Sequence, residues 1–149
     1  MKNIPSLGLG TFRLKGETAY QAVTDALDVG FRHIDTAQIY DNESEVGSAL
    51  ADFELERDEF FLTTKVWNSH LNRTGFIPSV KESLEKLSVD YVDLLLIHWP
   101  SPEDNAPMDE YLSELLKAKQ QGLTKHIGVS NFTIAQLKDA LRILPAGEL

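Results

Sequence analysis

Strand-like and helix-like segments alternate five times along the chain, and this alternation restricts the fold more than any other feature of the sequence. Strands two to five are predicted to begin at Phe31, Phe60, Val92 and Lys125, which is roughly every 30 residues. The segments between them carry apolar residues at helical spacing. Strands and helices that alternate in this way form parallel sheets with helical crossovers. The sequence therefore predicts a single α/β domain over residues 1–149.

The segment Val92–Pro100 indicates where a site would lie in such a fold. Its run of β-branched and large apolar residues is too short for a helix and too continuous for a strand with one solvated face, so it predicts a strand buried on both faces. The run gives way to His98, and Pro100 cannot continue a central strand. An imidazole therefore lies at the carboxyl end of a buried strand, where α/β proteins bind ligands.

Turn residues and apolar spacing predict the remaining elements. A first strand is predicted at Leu7–Thr11, and Asn42 is predicted to cap the second helix together with a glutamate three residues later. A polar loop is predicted from Ser101 to Pro107. Thr133 and Gln136 have the spacing of a capping box in front of a fifth helix. The apolar positions of that helix are Ile134, Leu137, Leu141 and Leu144.

Two architectures fit this alternation, an open doubly wound sheet and part of an eight-fold barrel. A complete barrel takes about 250 residues, so a chain of 149 residues supplies roughly five of its eight units. Periodicity alone does not separate the two. A doubly wound dinucleotide-binding domain is disfavoured because no Gly-x-Gly-x-x-Gly motif follows the first strand.

Composition excludes several classes of function. The net charge of −9 argues against a nucleic-acid or membrane-surface partner. A chain without cysteine has no disulfide, thiolate nucleophile or cysteine-ligated metal, which fits a reducing cytoplasm. No signal peptide and no membrane-spanning run are expected from the apolar pattern.

Four polar residues are predicted at the carboxyl ends of neighbouring strands. Asp35 and Tyr40 follow strand two, Lys65 ends strand three, and His98 follows strand four. Neighbouring strands are about 5 Å apart, so these side chains can converge. Each residue also has an ordinary structural explanation, as a helix cap or loop residue, a solvated lysine or a core histidine. Their placement at matching strand ends favours a shared site.

The chemistry available to this set is proton transfer to a carbonyl oxygen. A phenol is a weak acid at neutral pH unless a nearby cation favours the phenolate, and Lys65 can supply that charge. Asp35 can keep Lys65 charged, and His98 can donate a hydrogen bond to a substrate carbonyl. No nucleophilic serine stands beside a base. His33 and Asp35 lack a third ligand, so no metal site is predicted.

Five motifs follow one another along the chain with defined spacing, and they cover nearly all of it. They are Gly8–Phe12, Gly30–Tyr40, Thr63–Trp67, Asp90–Pro100 and Ile127–Phe132. Together they resemble the aldo-keto reductase family. Within that family the chain is most similar to the bacterial 2,5-diketo-D-gluconate reductases of the B type.

This resemblance implies a (β/α)8 barrel, of which about five βα units are present, and NADP(H)-dependent reduction of aldehydes or ketones. Keto-sugar acids such as 2,5-diketo-D-gluconate, or small 2-oxoaldehydes such as methylglyoxal, are the implied substrates. It implies Tyr40 as the proton donor, Lys65 and Asp35 as the pair that tunes it, and His98 as the residue that orients the carbonyl. Cofactor contacts are implied at Gly10, Thr11, Asp35, Ser130 and Asn131, and substrate-pocket walls at Phe12, Trp67 and Trp99. For the two tryptophans, a plain core position is the alternative.

The resemblance also implies parts that this sequence does not contain. Family members continue through strands six to eight, which bring a glutamine on the carboxamide, a tyrosine on the nicotinamide and a basic loop on the 2′-phosphate. We therefore expect a fragment or truncated product with two open strand edges and an uncovered barrel interior, features that favour self-association. The alternative function is a half-barrel that is inactive alone and self-associates or needs a complementing chain.

Overall fold

The computed structural model describes residues 4–101 and 106–149, and within them five β-strands alternate with five α-helices. None of the helices in these two ranges is long and apolar enough to cross a membrane. Three short 3₁₀ turns, Gln38–Tyr40, Arg57–Glu59 and Asn68–His70, lie in the connections. The elements in chain order are β1 (Leu9–Gly10), α1 (Gly16–Asp28), β2 (His33–Asp35), α2 (Glu43–Asp52), β3 (Phe61–Val66), α3 (Phe76–Lys86), β4 (Val92–Ile97), α4 (Met108–Gln120), β5 (Thr124–Val129) and α5 (Ile134–Ile143).

All strand pairs are parallel, and the strands lie in the sheet in the order in which they occur in the chain, β1-β2-β3-β4-β5. A doubly wound sheet reverses its strand order at a switch point, whereas a barrel adds each strand beside the previous one. Because parallel crossovers are right-handed, an unreversed order places the helices on one face of the sheet. The structure therefore confirms the α/β barrel prediction for five βα units.

The strand boundaries differ most from the prediction at the amino-terminal edge. β1 contains only two residues instead of Leu7–Thr11, and β2 starts and ends later than predicted, so that Asp35 is its last residue. The three longer strands agree within a few residues, and His98 lies directly after β4. Residues 102–105 of the loop predicted from Ser101 to Pro107 lie outside the described residues.

The helix ends described next contain the residue types that favour helix capping or termination, and one predicted cap is an exception. Gly30 and Gly122, which have positive φ angles of 96° and 76°, follow the last residues of α1 and α4. The capping box of Thr133 and Gln136 is present in both directions at α5. The predicted side-chain cap by Asn42 is wrong, because its side chain forms no capping bond to α2 and turns to other partners.

One face of the sheet is covered by the helices, and the other face is open only in part, because every residue of β3 is buried whereas β4 is partly uncovered. In β4, Asp93, Leu95 and Ile97 are buried, whereas Leu94 and Leu96 are only half-buried. Leu95 and Ile97 belong to the core that the helices form with the strands. The prediction that this strand is buried on both faces is therefore wrong at Leu94 and Leu96, which the described residues leave partly uncovered.

Helix α5 presents much of its apolar stripe to solvent. Ile134 is 77% exposed and Leu141 is 53% exposed, while Ala140 is buried against the core. Monomeric proteins seldom expose adjacent large apolar residues of this kind without a partner surface. This helix and β5 form one side edge of the five-stranded sheet.

The amino-terminal ends of β3 and β4 are joined by a buried ion pair. The Asp93 carboxylate accepts bonds from the Arg57 guanidinium (2.8 Å) and from the backbone N–H of Leu62 (2.9 Å). The guanidinium also stacks over the Phe60 and Tyr91 rings, with centroid distances of 4.7 Å and 4.2 Å. This cluster stabilises the end of the sheet that is remote from the strand ends carrying His98.

Two glycines mark places where neighbouring segments approach closely. A Cβ atom at Gly47 in α2 would lie 2.3 Å from the backbone oxygen of Lys86 and 2.8 Å from the Cα of Leu87. A Cβ atom at Gly8 would lie 2.9 Å from the ring of His33. The first contact sets how closely α2 packs against the end of α3.

Candidate active site

Lys65 and Asp35 form a partly buried ion pair at the carboxyl ends of β2 and β3. The Lys65 ammonium donates to the Asp35 carboxylate at 2.5 Å and to the Thr36 carbonyl at 2.8 Å. Lys65 is 7% exposed, so its charge depends on these partners. The pairing predicted from the sequence is present. A fixed cation therefore stands at the edge of the sheet where ligands bind in this architecture.

Tyr40 faces this cation from the 3₁₀ turn between β2 and α2. The Lys65 Nζ lies 5.1 Å from the centroid of the Tyr40 ring. Phe12 packs on the same ring with a centroid distance of 5.1 Å, and His98 meets it edge-on at 5.5 Å. The structure thus brings together the four polar residues that the sequence places at separate strand ends.

His98 is enclosed by aromatic rings. Besides Tyr40, the Trp67 ring meets it edge-on at 5.3 Å. Burial lowers the pKa of His98, and the nearby charge of Lys65 lowers it further against the opposing effect of Asp35. Its Nδ1 is buried and has no hydrogen-bond partner among the described residues. Burial and the Lys65 charge therefore both favour the neutral imidazole.

The end of β5 lies beside His98. Asn131 has a positive φ of 62°, and its side-chain amide donates to the His98 carbonyl at 2.8 Å and to the Ser130 hydroxyl at 3.1 Å. The backbone N–H of Ser130 donates to the carbonyl of Ile97. Ser130 and Asn131, which the resemblance implies as cofactor contacts, are thus adjacent to the histidine, and the Asn131 side chain already has partners within the chain.

Gly10, the last residue of β1, and Thr11, which follows it, border the same site. A Cβ atom at Gly10 would have no neighbour within 4 Å, which leaves room for a bound group to approach the backbone. Thr11 is fully buried, and its hydroxyl donates to the Asp35 carbonyl at 3.2 Å. Thr11 therefore supports Asp35 from within the fold.

The predicted pocket walls differ in how far the chain encloses them. Trp67 is half-buried and touches His98, whereas Phe12 and Trp99 are 60% and 47% exposed. A core position is therefore excluded for Trp99. The polar groups of the site converge, while its apolar walls stand open.

His33 and Asp35, the pair considered as metal ligands, have no third ligand among the described residues. The His33 Nε2 lies 3.0 Å from the Thr63 hydroxyl, and burial lowers the pKa of its ring. Among residues 4–101 and 106–149, no group of three or more histidine or carboxylate side chains is arranged to hold a metal ion.

Three polar residues in and beside the Tyr40 turn were not predicted from the sequence as part of the site. Gln38 and Asn42 use their amides to bond to several neighbouring segments. Glu43 is buried and accepts a bond from the Thr64 hydroxyl at 2.6 Å, and burial raises the pKa of its carboxyl. Of the three, only Asn42 was given a role from the sequence, as a helix cap together with Glu45.

Known proteins resemble this chain closely in sequence. The model of the Aldo/keto reductase family matches residues 6–146. The chain is 52% identical over 147 residues to methylglyoxal reductase DkgB of Yersinia pestis. The matched region covers 99% of this chain and 55% of the relative. The chain is 46% identical over 138 residues to methylglyoxal reductase DkgA of the same organism, covering 91% and 48%. The chain thus spans about half the length of these curated relatives.

Solved structures agree in fold as well as in sequence. A crystal structure of a proposed 2,5-diketo-D-gluconic acid reductase B superimposes with a TM-score of 0.91 at 48% identity, covering 95% of this chain and 50% of the other. The aldo-keto reductase of Bombyx mori in complex with NADP superimposes with a TM-score of 0.80 at 40% identity, covering 93% and 50%. The convergence of Asp35, Tyr40, Lys65 and His98, the unreversed strand order and these matches lead to one conclusion: the chain belongs to the aldo/keto reductase family.

Proposed function

We propose that this chain carries the proton-transfer site of an NADP(H)-dependent reductase of aldehydes and ketones. The observation that supports this most directly is the buried Lys65 ammonium, bound to Asp35 at 2.5 Å and 5.1 Å from the Tyr40 ring. Buried lysines are rare unless a partner holds their charge in place. The absence of cysteine agrees with activity in a reducing cytoplasm.

In this proposal Tyr40 gives its phenolic proton to the substrate carbonyl oxygen. The Lys65 charge stabilises the phenolate that remains, because a cation close to the ring favours the ionised form. Asp35 keeps the lysine charged and in place, and the carbonyl of Thr36 provides a second acceptor. The result is general acid catalysis by a phenol.

His98 orients the carbonyl in the same proposal. Its buried Nδ1 has no partner among the described residues, and an unpartnered acceptor costs less than an unpartnered N–H. We therefore assign the hydrogen to Nε2, which can donate it to the substrate oxygen. The lowered pKa of His98 favours the neutral form of the ring.

The cofactor would lie along the carboxyl ends of β1, β2 and β5. Gly10 offers an open approach to the backbone, and Ser130 and Asn131 offer polar side chains beside His98. These residues fit the nicotinamide end of a dinucleotide, which supplies a hydride to the carbonyl carbon when bound. The preference for NADP(H) rests on relatives such as the Bombyx mori reductase, whose structure contains NADP.

The proposed substrate class rests on the named relatives. Several relatives are methylglyoxal reductases, and one solved structure is of a proposed 2,5-diketo-D-gluconic acid reductase B. The aromatic side chains of Phe12, Trp67 and Trp99 provide apolar walls that admit small dicarbonyl compounds. We propose methylglyoxal or a keto-sugar acid as the substrate.

Two forms of the protein test this function. One is the 149-residue chain, and the other, the extended chain, adds the unmatched remainder of the Yersinia pestis relative after Leu149. NADPH binding is measured by fluorescence titration, and turnover by loss of NADPH absorbance with methylglyoxal. We expect the extended chain to bind NADPH and to reduce methylglyoxal. A folded extended chain that binds NADPH but reduces neither aldehydes nor keto acids would contradict the proposal.

A second candidate applies to the 149-residue chain prepared alone. In this form β1 and β5 are open edges, and the apolar stripe of α5 is exposed. Open parallel edges beside an apolar stripe favour pairing between chains. We propose that the 149-residue chain associates with a second copy of itself through α5 and is catalytically incomplete in that form.

Replacing Leu141 by lysine tests this association. Leu141→Lys places a charge in the centre of the stripe, so we expect the dissociation constant of the self-associated form to rise about tenfold or more in analytical ultracentrifugation. Ala135→Lys is the matched control, since Ala135 is an exposed α5 residue about a third of a turn away from Leu141 around the helix. A wild-type chain that stays monomeric up to its solubility limit would rule out this candidate.

A further inference from the structure

The turn that carries Tyr40 has little internal support. It is a 3₁₀ turn of three residues, and its backbone bonds are Tyr40 N–H to Ala37 and Asp41 N–H to Gln38. Isolated 3₁₀ turns have poor hydrogen-bond geometry and low intrinsic stability. Asp41 adopts a left-handed conformation with φ of 53° directly after Tyr40. A non-glycine residue keeps such a conformation where its surroundings impose it.

Gln38 is the first residue of this turn, and both polar atoms of its side-chain amide have hydrogen-bond partners. Its oxygen accepts from the backbone N–H of Trp67 at 2.8 Å and lies 3.2 Å from the His70 Nδ1. Its nitrogen donates to the Ser79 carbonyl and the Ser83 hydroxyl, each at 3.2 Å. The backbone N–H of Trp67 only donates, so the orientation of the amide is fixed. Gln38 thereby ties the turn to the end of β3 and to α3.

Asn42 holds the other end of the turn in the same way. Its nitrogen donates to the carbonyls of Thr11 and Leu14, both at 2.9 Å, and its oxygen accepts from the Thr36 hydroxyl at 2.9 Å. Asn42 is 1% exposed. Because its partners follow β1 and β2, Asn42 joins the turn to the segment that contains Gly10 and to the segment that supports Lys65.

We propose that Gln38 and Asn42 are positioning residues for Tyr40, an inference that rests on the proposed proton-donor role of that tyrosine. The two amides lie on either side of the phenol in the sequence, and together they attach its turn to four neighbouring segments. No hydrogen bond among the described residues joins either amide to the Tyr40 side chain, so each acts through the backbone. A displacement of about 1 Å in a reacting group can cost about 100-fold in rate.

The position of Asn42 separates this role from helix capping. Asn42 occupies the residue before α2, where its side chain would ordinarily accept a bond from the helix backbone. It forms no such bond and uses its whole amide on segments outside the helix. Helix α2 therefore lacks a side-chain cap from Asn42, and the Asn42 amide instead attaches the turn to neighbouring segments.

Hydrogen exchange of the 149-residue chain, followed by mass spectrometry without cofactor or substrate, tests the anchoring directly. We expect Gln38→Ala and Asn42→Ala each to speed exchange about tenfold in the peptide that contains residues 37–42, because four bonds of Gln38 and at least three of Asn42 are lost. Exchange in the peptide that contains β4 is expected to stay unchanged. Equal acceleration in both peptides, or none in residues 37–42, would overturn the inference.

Conservative variants sharpen this test. Gln38→Glu keeps the oxygen that accepts from Trp67 but sets a carboxylate oxygen against the Ser79 carbonyl, so exchange in residues 37–42 is expected to be faster than in the wild type. Gln21→Ala removes an exposed amide on α1 whose bond goes to Asp25, and it should leave residues 37–42 unchanged. An effect of Gln21→Ala equal to that of Gln38→Ala would also overturn the inference.

Kinetics of the extended chain link the anchoring to the reaction. We expect Gln38→Ala and Asn42→Ala to lower kcat for methylglyoxal about tenfold with little change in KM, because a misplaced proton donor affects the transition state more than substrate binding. Unchanged kcat in an active enzyme, despite faster exchange at residues 37–42, would overturn the positioning role. If the wild-type extended chain shows no turnover at all, the proposed function fails, and the exchange experiment still decides the anchoring.

Discussion

Replacing Tyr40 by phenylalanine is expected to lower kcat for methylglyoxal by about 10³-fold in the extended chain. The change removes the phenolic oxygen and its proton but keeps the ring, which packs on Phe12 and His98 and lies beside the Lys65 cation. NADPH binding should therefore stay within about twofold of the wild-type value, as expected when only a transition-state contact is lost. Fluorescence titration and steady-state turnover measure the two effects separately.

Tyr20→Phe provides the matched control for this prediction. Tyr20 is a phenol on α1 that donates to the Asp52 carboxylate at 3.0 Å, outside the site. The same atom is removed in both variants, so any general effect of losing a phenol appears in both. Tyr40→Phe with more than about a tenth of wild-type turnover would contradict the proton-donor role.

Replacing Gly47 by alanine is expected to reduce the free energy of unfolding by about 3 kcal/mol. The new Cβ atom would overlap the Lys86 carbonyl oxygen at 2.3 Å and the Leu87 backbone. Because the obstructing atoms belong to the backbone, no side-chain rotation relieves the overlap, and α2 must move away from α3. Alanine also has a higher helix propensity than glycine, which by itself would raise stability. A net loss of stability must therefore come from the overlap. Urea denaturation of the dilute chain measures the change.

Ser48→Ala controls for the gain in helix propensity at the neighbouring position. Ser48 is an exposed residue of α2, and its hydroxyl donates to the Ser44 carbonyl within the same helix. We expect this variant to lie within about 0.5 kcal/mol of the wild type, the usual range for surface substitutions. If Gly47→Ala lies within that range too, the close approach of α2 to α3 has no energetic consequence.

The sequence predicted those parts of the fold and site that depend on local pattern. The three longer strands are continuous apolar or β-rich runs, so their positions agree within a few residues, and His98 follows β4 as expected. β1 was predicted too long because its glycines and leucines contain no signal for where pairing stops; the pairing is limited to Leu9 with Ile34 and Gly10 with Asp35.

The polar network around Tyr40 could not be predicted in the same way, because its partners are distant in the sequence. Asn42 bonds to residues up to 31 positions away, and Gln38 to residues up to 45 positions away. A local pattern assigns Asn42 to helix capping because capping is the commonest use of an asparagine before a helix. Only the register of the sheet brings the true partners close enough to compete.

The partly open face of the sheet was missed for a related reason. An apolar run such as β4 predicts burial on both faces, and Leu94 and Leu96 have the residue types of a core. Whether a face is covered depends on which other elements are present, and that information lies outside the strand itself. The exposed stripe of α5 is the same effect at the edge of the sheet.

Gly8 and Gly47, two of the tightly packed glycines, place different limits on how this sequence can change over evolution. At Gly8 the obstructing atoms belong to the His33 side chain, so a larger residue becomes tolerable once His33 is replaced by a smaller one. Positions 8 and 33 should therefore covary among homologues. At Gly47 the obstructing atoms are backbone, which no single substitution can remove. Position 47 should accordingly remain glycine even where the residues around it diverge.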